Sequence, residues 1–324
     1  MRLLDLISQS NTPTPNLPPG FSLPSAHHFA GQLRSCPLRI VMADDLVRCA
    51  TLLAYADGDR LSGCLDLIHA PMESVWVEWL ESPRESALSD IPDLNVRFGV
   101  RAKRKGLLIQ SCQSGRTGTI RTFWSMPNDV AYAGSVLSDF DFDRAMYGHS
   151  HPSQILAGKH AVVVDPEEPA IEAILSHVGF RFDPAWASYY RGGNLSLVEQ
   201  AELIRNALGT AAYDAPMLFA LFLLMTAKDG VTQRPSDLAK LNHARLRSRR
   251  QPLLDHIEVS LRLPVQPSAE SGFNSETARR QARMHRVRGH LVRRGSKVFW
   301  RSSHVRGSAR QGCIQTRTMA LSFA

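Results

Sequence analysis

Residues 107–124, LLIQSCQSGRTGTIRTFW, decide the fold class of this chain. Two β-forming segments, LLIQ at 107–110 and TIRTFW at 119–124, flank the turn-forming stretch SGRTG, an arrangement typical of a β-hairpin. The earlier segment VWVEWL, residues 75–80, alternates in the same way and predicts another strand. Because helical patterns lie on both sides of this β-rich region, the sequence predicts an α+β fold.

Helical spacing of the apolar residues predicts helices over 39–57, 169–178, 196–209, 216–228 and 236–250. Ser196 and Glu199 form a capping-box pattern at the start of the third. The longest apolar run, PMLFALFLLMT at 216–226, is shorter than a membrane-spanning helix and is typical of a buried core helix. Residues 127–160 are predicted to be irregular, whereas the alternation over 253–263 predicts a half-buried strand.

The charge of the 324-residue chain is distributed unevenly along it. Residues 240–324 contain 18 Lys and Arg against 4 Asp and Glu, whereas the rest of the chain contains 20 basic and 26 acidic side chains. The segment MRLLDLISQSNTPTPNLPPG at 1–20 predicts a short helix followed by a Pro-rich linker. The charge asymmetry predicts an acidic mixed α+β domain at 21–235 and a small basic helix-and-antiparallel-strand module at 236–324. Such a module favours a polyanionic partner, most commonly nucleic acid.

The densest cationic segment, residues 279–310, carries eleven Lys and Arg and no acid, interleaved with apolar side chains. Short strands are predicted at 285–292, 297–301 and 314–323, with Gly295 in the first turn. Arginines on a β face would contact phosphates, and Phe299 or Trp300 would stack on splayed bases. The helix at 236–250 is either the reader of a helix-turn-helix motif or a basic helix that covers a sheet. The predicted nucleic-acid-binding residues are Arg245, Arg247, Arg249, Arg250, Arg286, Arg288, His290, Arg293, Arg294, Lys297, Trp300, Arg301 and Arg306.

Two segments of the C-terminal region together form a signature. They are LNHARLRSRRQPLLDHIEVSL at 241–261 and HRVRGHLVRRGSKVFWRSSHVRG at 285–307, with the core pattern VRGH…W…HxRG. This pattern resembles the C-terminal region of uncharacterised proteins found in phages, prophages and mobile elements. The resemblance covers residues 240–324, with a further similarity in the segment VWVEW at 75–79. It implies a phage or mobile-element setting, but it carries no activity to this chain.

Histidines supply the candidate catalytic and metal sites. His285, His290 and His304 lie among arginines and have the residue types of metal-independent RNA cleavage, with one imidazole as general base and another as general acid. Because His285 and His290 would point to opposite faces of a regular strand, this hypothesis requires a bulge at Gly289 or pairing of His290 with His304. A second set, His149, His151, His160 and Asp165, has the donor types of a metal site, although polar loops commonly contain such residues without binding a metal.

The sequence therefore favours a nucleic-acid-binding accessory protein of a phage or mobile element, with DNA and RNA both open. The alternatives are a metal-independent or metal-dependent nuclease and a factor that binds an acidic host protein. The five cysteines are scattered without a C-x-x-C pair, which is typical of reduced thiols in a cytosolic protein. Neither a cofactor nor a membrane partner is expected, and the predicted location is the cytoplasm.

Overall fold

The elements of the chain are divided between two units. The computed structural model describes residues 1–9, 26–91, 102–162, 169–184, 186, 196–262, 283–287, 290–301, 304–306 and 308–313. The larger unit contains Met1–Thr226 and Val231–Leu261, and the smaller contains Ala227–Gly230 and Arg262–Ala324. The division therefore lies near residue 262 rather than at the predicted boundary of 236, and the basic helix belongs to the larger unit.

The larger unit contains α-helices and one mixed β-sheet. Its helices are α1 Leu3–Ser8, α2 Ala30–Ser35, α3 Asp44–Tyr55, α4 Gly58–Ser62, α5 Glu81–Ser89, α6 Pro152–Leu156, α7 Pro169–Leu175, α8 Leu197–Thr226 and α9 Ala239–Arg247. Its strands are β1 Leu38–Met42, β2 Ser74–Leu80, β3 Arg104–Ser111, β4 Thr117–Ser125, β5 Ala131–Asp141, β6 Val178–Phe182, β7 Val231–Pro235 and β8 Ile257–Leu261. The mixed α and β composition predicted from the sequence is confirmed.

The eight strands follow the order β6-β5-β4-β3-β2-β1-β8-β7. β1 is parallel to both β2 and β8, and the other neighbouring strands are antiparallel. The predicted hairpin is confirmed, because β3 and β4 pair from Arg104 with Ser125 to Ser111 with Gly118. The predicted strands at 75–80 and 253–263 are confirmed as β2 and β8.

Gly115 shapes the turn between β3 and β4. Its φ is +70°, a left-handed conformation that glycine adopts without the steric cost of a side chain. Its carbonyl accepts the N–H of Ala70 at 2.8 Å, and a Cβ at this position would lie 2.3 Å from the Ala70 carbonyl oxygen. The turn therefore requires glycine for both its backbone conformation and its close approach to Ala70.

One face of the sheet is covered by α1 and α2. The apolar side chains of α1 are at most 1% exposed and pack with Trp76, Leu108 and Phe123. Glu78 of β2 is completely buried on the same face, and it accepts the N–H groups of Leu3 at 3.3 Å and Leu4 at 2.8 Å. This carboxylate satisfies helix N–H groups that have no intrahelical partner. Burial raises the pKa of Glu78, although these hydrogen bonds offset part of the effect.

The opposite face is covered by α3, α5 and α8. Phe219 of α8 contacts Phe140 and Phe142 edge-on, with ring centroids 6.0 and 4.8 Å apart. The two helices predicted at 196–209 and 216–228 are in fact the single helix α8, which contains Pro216 in its interior. The predicted capping box is confirmed, because the Ser196 N–H donates to Glu199 Oε2 at 2.8 Å and Ser196 Oγ accepts the Glu199 N–H at 3.3 Å.

The length of α8 changes the membrane prediction. Residues Val198–Thr226 are long and apolar enough to cross a membrane by length and composition, contrary to the expectation from the shorter apolar run. However, 78% of the most apolar window is buried inside the larger unit. This burial is consistent with the core helix of a soluble protein.

A cluster of four buried charged side chains joins α5, β3 and α8. Arg84 Nη1 donates to Glu81 Oε1 at 3.2 Å and to Asp214 Oδ1 at 2.6 Å. Lys105 Nζ donates to the same oxygen of Asp214 at 2.9 Å. The Tyr213 carbonyl accepts from Arg84 and from the hydroxyl of Tyr55, one turn before Pro216. All four charged groups are at most 4% exposed, so two carboxylates and two cations balance one another in the core.

Two local predictions in the larger unit are wrong. The helix expected over 39–57 is the strand β1 followed by α3, because apolar residues at 38, 40 and 42 belong to a strand buried between β2 and β8. The irregular segment expected over 127–160 contains the eleven-residue strand β5, in which Tyr132, Ser135 and Asp139 are half-buried and the other eight residues are buried. Its pairing with β4 and β6 outweighs its low β propensity.

The smaller unit contains β9 Arg283–Val287, β10 His290–Arg294, β11 Lys297–Arg301, β12 His304–Arg306 and β13 Ser308–Cys313. β10 and β11 form a two-stranded sheet, and β9 lies between β12 and β13 in a three-stranded sheet. The strand predicted at 285–292 is therefore divided between two sheets. The strand predicted at 297–301 is confirmed as β11, and the one predicted at 314–323 lies outside the described residues.

Candidate nucleic-acid interface

The hairpin β10–β11 is built around a two-residue turn. The pairing runs from His290 with Arg301 at the open end to Arg294 with Lys297 beside the turn. Gly295 lies in this turn, as predicted, and its φ is +59°. Two-residue hairpin turns favour such a positive φ, which glycine adopts readily. Residues paired across antiparallel strands share one face, so this register assigns each side chain to a face of the hairpin.

One face of the hairpin is cationic. It carries three cross-strand pairs: His290 with Arg301, Val292 with Phe299, and Arg294 with Lys297. Arg294, Lys297 and Arg301 are exposed, whereas His290 and Phe299 are half-buried. We call these six residues the cationic face.

The other face of the hairpin is largely apolar. It carries the pairs Leu291 with Trp300 and Arg293 with Val298. Leu291 and Val298 are each only 6% exposed. Leu291 and Val298 are thus buried on the side of the hairpin opposite the exposed Arg294, Lys297 and Arg301.

The backbone of Lys228 pairs with the second edge of β11. The Lys228 N–H donates to the Val298 carbonyl at 3.1 Å, and its carbonyl accepts the Trp300 N–H at 3.3 Å. β11 is thus hydrogen-bonded on both sides, by β10 and by Lys228. A hairpin supported in this way is more stable than an isolated two-stranded ribbon.

The structure brings together part of the predicted binding set. His290, Arg294, Lys297 and Arg301 meet on the cationic face. Trp300 and Arg293 lie on the opposite face, where Arg293 Nε donates to the Gly295 carbonyl at 3.1 Å. Arg286 and Arg306 belong to β9 and β12 of the other sheet, and Arg288 lies outside the described residues. The aromatic residue of the cationic face is Phe299. Trp300, the next residue of β11, points to the opposite face because side chains alternate along a strand.

The arginines at the end of α9 and directly after it form a separate group in the larger unit. None of the nine residues of α9 is buried, and Arg247, Arg249 and Arg250 are exposed. Arg245 is half-buried and its Nε donates to the Gln251 carbonyl at 2.8 Å. β7 lies between α8 and α9, which contradicts the helix-turn-helix alternative for this basic helix.

The histidines proposed for RNA cleavage do not pair as that hypothesis requires. His290 is the register partner of Arg301, and His304 is the register partner of Val287. His285 pairs with Arg306 in the other sheet, and Gly289 lies outside the described residues. The described strands therefore give no base–acid pair of histidines.

The predicted metal ligands occupy different environments. His149 and His151 are exposed, and His151 Nδ1 lies 2.7 Å from Ser153 Oγ at the start of α6. His160 Nε2 lies 2.8 Å from Asp139 Oδ2, and Asp165 lies outside the described residues. Across the part of the chain that the structure describes, no three His, Cys, Asp or Glu side chains form a group suited to a metal ion.

Asp139 is the centre of a polar cluster on the sheet. Thr119 Oγ1 donates to its Oδ1 at 2.6 Å, and Arg181 donates to both of its carboxylate oxygens. Burial alone would raise the pKa of Asp139, but the hydrogen bonds from Arg181, Thr119 and His160 outweigh burial and lower it. His160 therefore contacts a carboxylate that is already held by an arginine and a hydroxyl.

Comparison with family models, curated proteins and solved structures finds no match to this chain. The functional interpretation therefore depends on the geometry and charge of the residues described above.

Proposed function

We propose that this protein binds nucleic acid through the cationic face of β10–β11. The main support is the placement of Arg294, Lys297 and Arg301, exposed on one face of the hairpin while the apolar side chains pack on the other. Residues 277–324 contain no Asp or Glu, so no nearby acid in sequence neutralises these cations. Exposed cations of this kind bind phosphates and release condensed counterions.

Arg247 at the end of α9, with Arg249 and Arg250 directly after it, is a second candidate contact for the phosphate backbone. They are exposed but belong to the larger unit, so we propose this contact separately from the one on the cationic face of the smaller unit. The phage or mobile-element setting, supported by the sequence resemblance, and a cytoplasmic location belong to the same proposal.

The proposal is tested by fluorescence anisotropy of the full chain with labelled DNA and RNA at several salt concentrations. The triple substitution R294A/K297A/R301A is expected to weaken binding and to reduce the slope of log affinity against log salt by about 2–3, since each phosphate contact contributes about 0.7–0.9. Unchanged affinity and slope in this variant would contradict the proposal. Failure of the wild-type chain to bind either polymer would direct the search to an acidic protein partner.

A matched pair of variants separates position from net charge. Arg293 and Arg294 are adjacent and both exposed, but they lie on opposite faces of the hairpin. R294E is expected to weaken binding more than R293E, although both change the net charge equally. Equal losses would indicate a general electrostatic effect rather than binding by this face. Thermal melting of both variants checks that the turn at Gly295 is preserved.

A further inference from the structure

The central pair of the cationic face differs chemically from the pairs on either side. Val292 and Phe299 have no polar side-chain atom, whereas His290 with Arg301 and Arg294 with Lys297 supply cations or hydrogen-bond donors. Since a strand rises about 3.3 Å per residue, neighbouring pairs on one face are about 7 Å apart and the two outer pairs about 13 Å apart. A half-buried aromatic ring thus lies between two cationic positions along the hairpin.

This pattern distinguishes between the two forms of nucleic acid. A β-ribbon in the major groove of a duplex reads base edges with hydrogen-bonding side chains, and the central pair has none. In a single strand the faces of the bases are accessible, and an aromatic ring stacks on them while flanking cations contact the backbone. A half-buried ring is held in place by its neighbours and loses little conformational freedom on stacking.

We infer that the cationic face binds single-stranded nucleic acid, with one base stacked on Phe299 and the adjacent phosphates on the pairs His290–Arg301 and Arg294–Lys297. The inference rests on the proposed function and adds the class of polymer to it. Trp300, on the opposite face with Leu291, does not contact the strand.

The test combines a change in the protein with a change in the ligand. Full-length wild type and F299L are titrated with a labelled oligo(dT), with an abasic oligonucleotide of the same length, and with a duplex. Leucine keeps an apolar side chain in β11 but removes the ring. The wild type is expected to bind oligo(dT) about tenfold more tightly than the abasic strand, since stacking of one base has this order of effect.

In F299L this preference is expected to disappear, with duplex affinity changed by less than about twofold. The salt slope should also stay the same, because the charges are unchanged. W300F, on the opposite face, is the control and should keep the preference for oligo(dT).

The outcomes separate this inference from the proposed function. Stacking on Phe299 is excluded if the wild type binds the oligo(dT) and abasic strands equally, or if F299L keeps the preference for oligo(dT). In either case the proposed function stands as long as R294A/K297A/R301A weakens binding. If the wild type binds none of these three ligands and also fails to bind the labelled RNA of the first experiment, the proposed function itself fails. The wild-type comparison needs no substitution, so it remains decisive even if F299L does not fold.

Discussion

Replacement of Arg84 by Met is expected to destabilise the larger unit strongly. The guanidinium is completely buried and donates to Glu81, Asp214 and the Tyr213 carbonyl. Methionine fills much of the same space as the aliphatic part of arginine but carries no charge. In the variant, the two buried carboxylates would face the single ammonium group of Lys105, and the excess negative charge would be removed from bulk solvent without a partner.

The size of the effect follows from this imbalance. Removing one partner of a buried ion pair typically costs about 3–5 kcal/mol, because the remaining charge is buried without compensation. For a unit of this size, each kcal/mol lowers the melting temperature by roughly 2–4 °C. The expected decrease in melting temperature is therefore about 6–20 °C.

The free energy of unfolding is measured by urea denaturation followed by tryptophan fluorescence. Trp79 is a suitable reporter, since its Nε1 donates to Glu81 Oε2 at 2.8 Å within the cluster. D214N and the double variant R84M/D214N complete a double-mutant cycle. The double variant should lose less stability than the sum of the single losses, because the stranded charge on Asp214 is also removed. A loss below about 1 kcal/mol in R84M would refute the view that this cluster needs balanced charges.

Three further predictions test local features. Hydrogen bonds from Ser114 and Thr117 lower the pKa of the exposed Cys112 thiol to about 6. The rate of alkylation of Cys112, followed by mass spectrometry, should therefore reach half its maximum near pH 6, and S114A should move that midpoint to higher pH. D139N should lower the free energy of unfolding, measured by urea denaturation at pH 7, by about 1.5–3 kcal/mol. Because the folded-state pKa of Asp139 is lowered, this difference from wild type should shrink as the pH falls below about 4, and a difference that stays constant would contradict the prediction. G115A should lower the melting temperature more than G158A, since both glycines have positive φ but only Gly115 has atoms within 4 Å of an added Cβ.

The sequence predicts local elements well where neighbouring residues determine them. The β3–β4 hairpin, the capping box at Ser196 and the turn at Gly295 are all specified within a few residues. α8 was predicted as two helices because Gly209 is typical of a helix end and Pro216 of a first turn. Its continuation depends on the apolar surface that it buries against the sheet, including Phe219, and that tertiary contribution has no local signal.

The candidate interface was predicted by residue type but not by arrangement. Charge density pointed to the region containing Arg294, Lys297 and Arg301. The choice between Phe299 and Trp300 as the ring beside these cations depends on strand register, which shifts a side chain to the other face with each single residue. The buried cluster around Arg84 was missed entirely, because its members come from segments far apart in the chain.

The pairing of Lys228 with β11 has a consequence for the order in which the chain is synthesised. Residues Ala227–Gly230 lie between α8 and β7 in sequence but belong to the smaller unit, so that unit is discontinuous. Lys228 leaves the ribosome well before the strand that satisfies its backbone N–H and carbonyl. A premature stop codon after β8 would therefore do more than remove a C-terminal extension. It would leave the Lys228 backbone without its strand partner inside an otherwise complete N-terminal fragment.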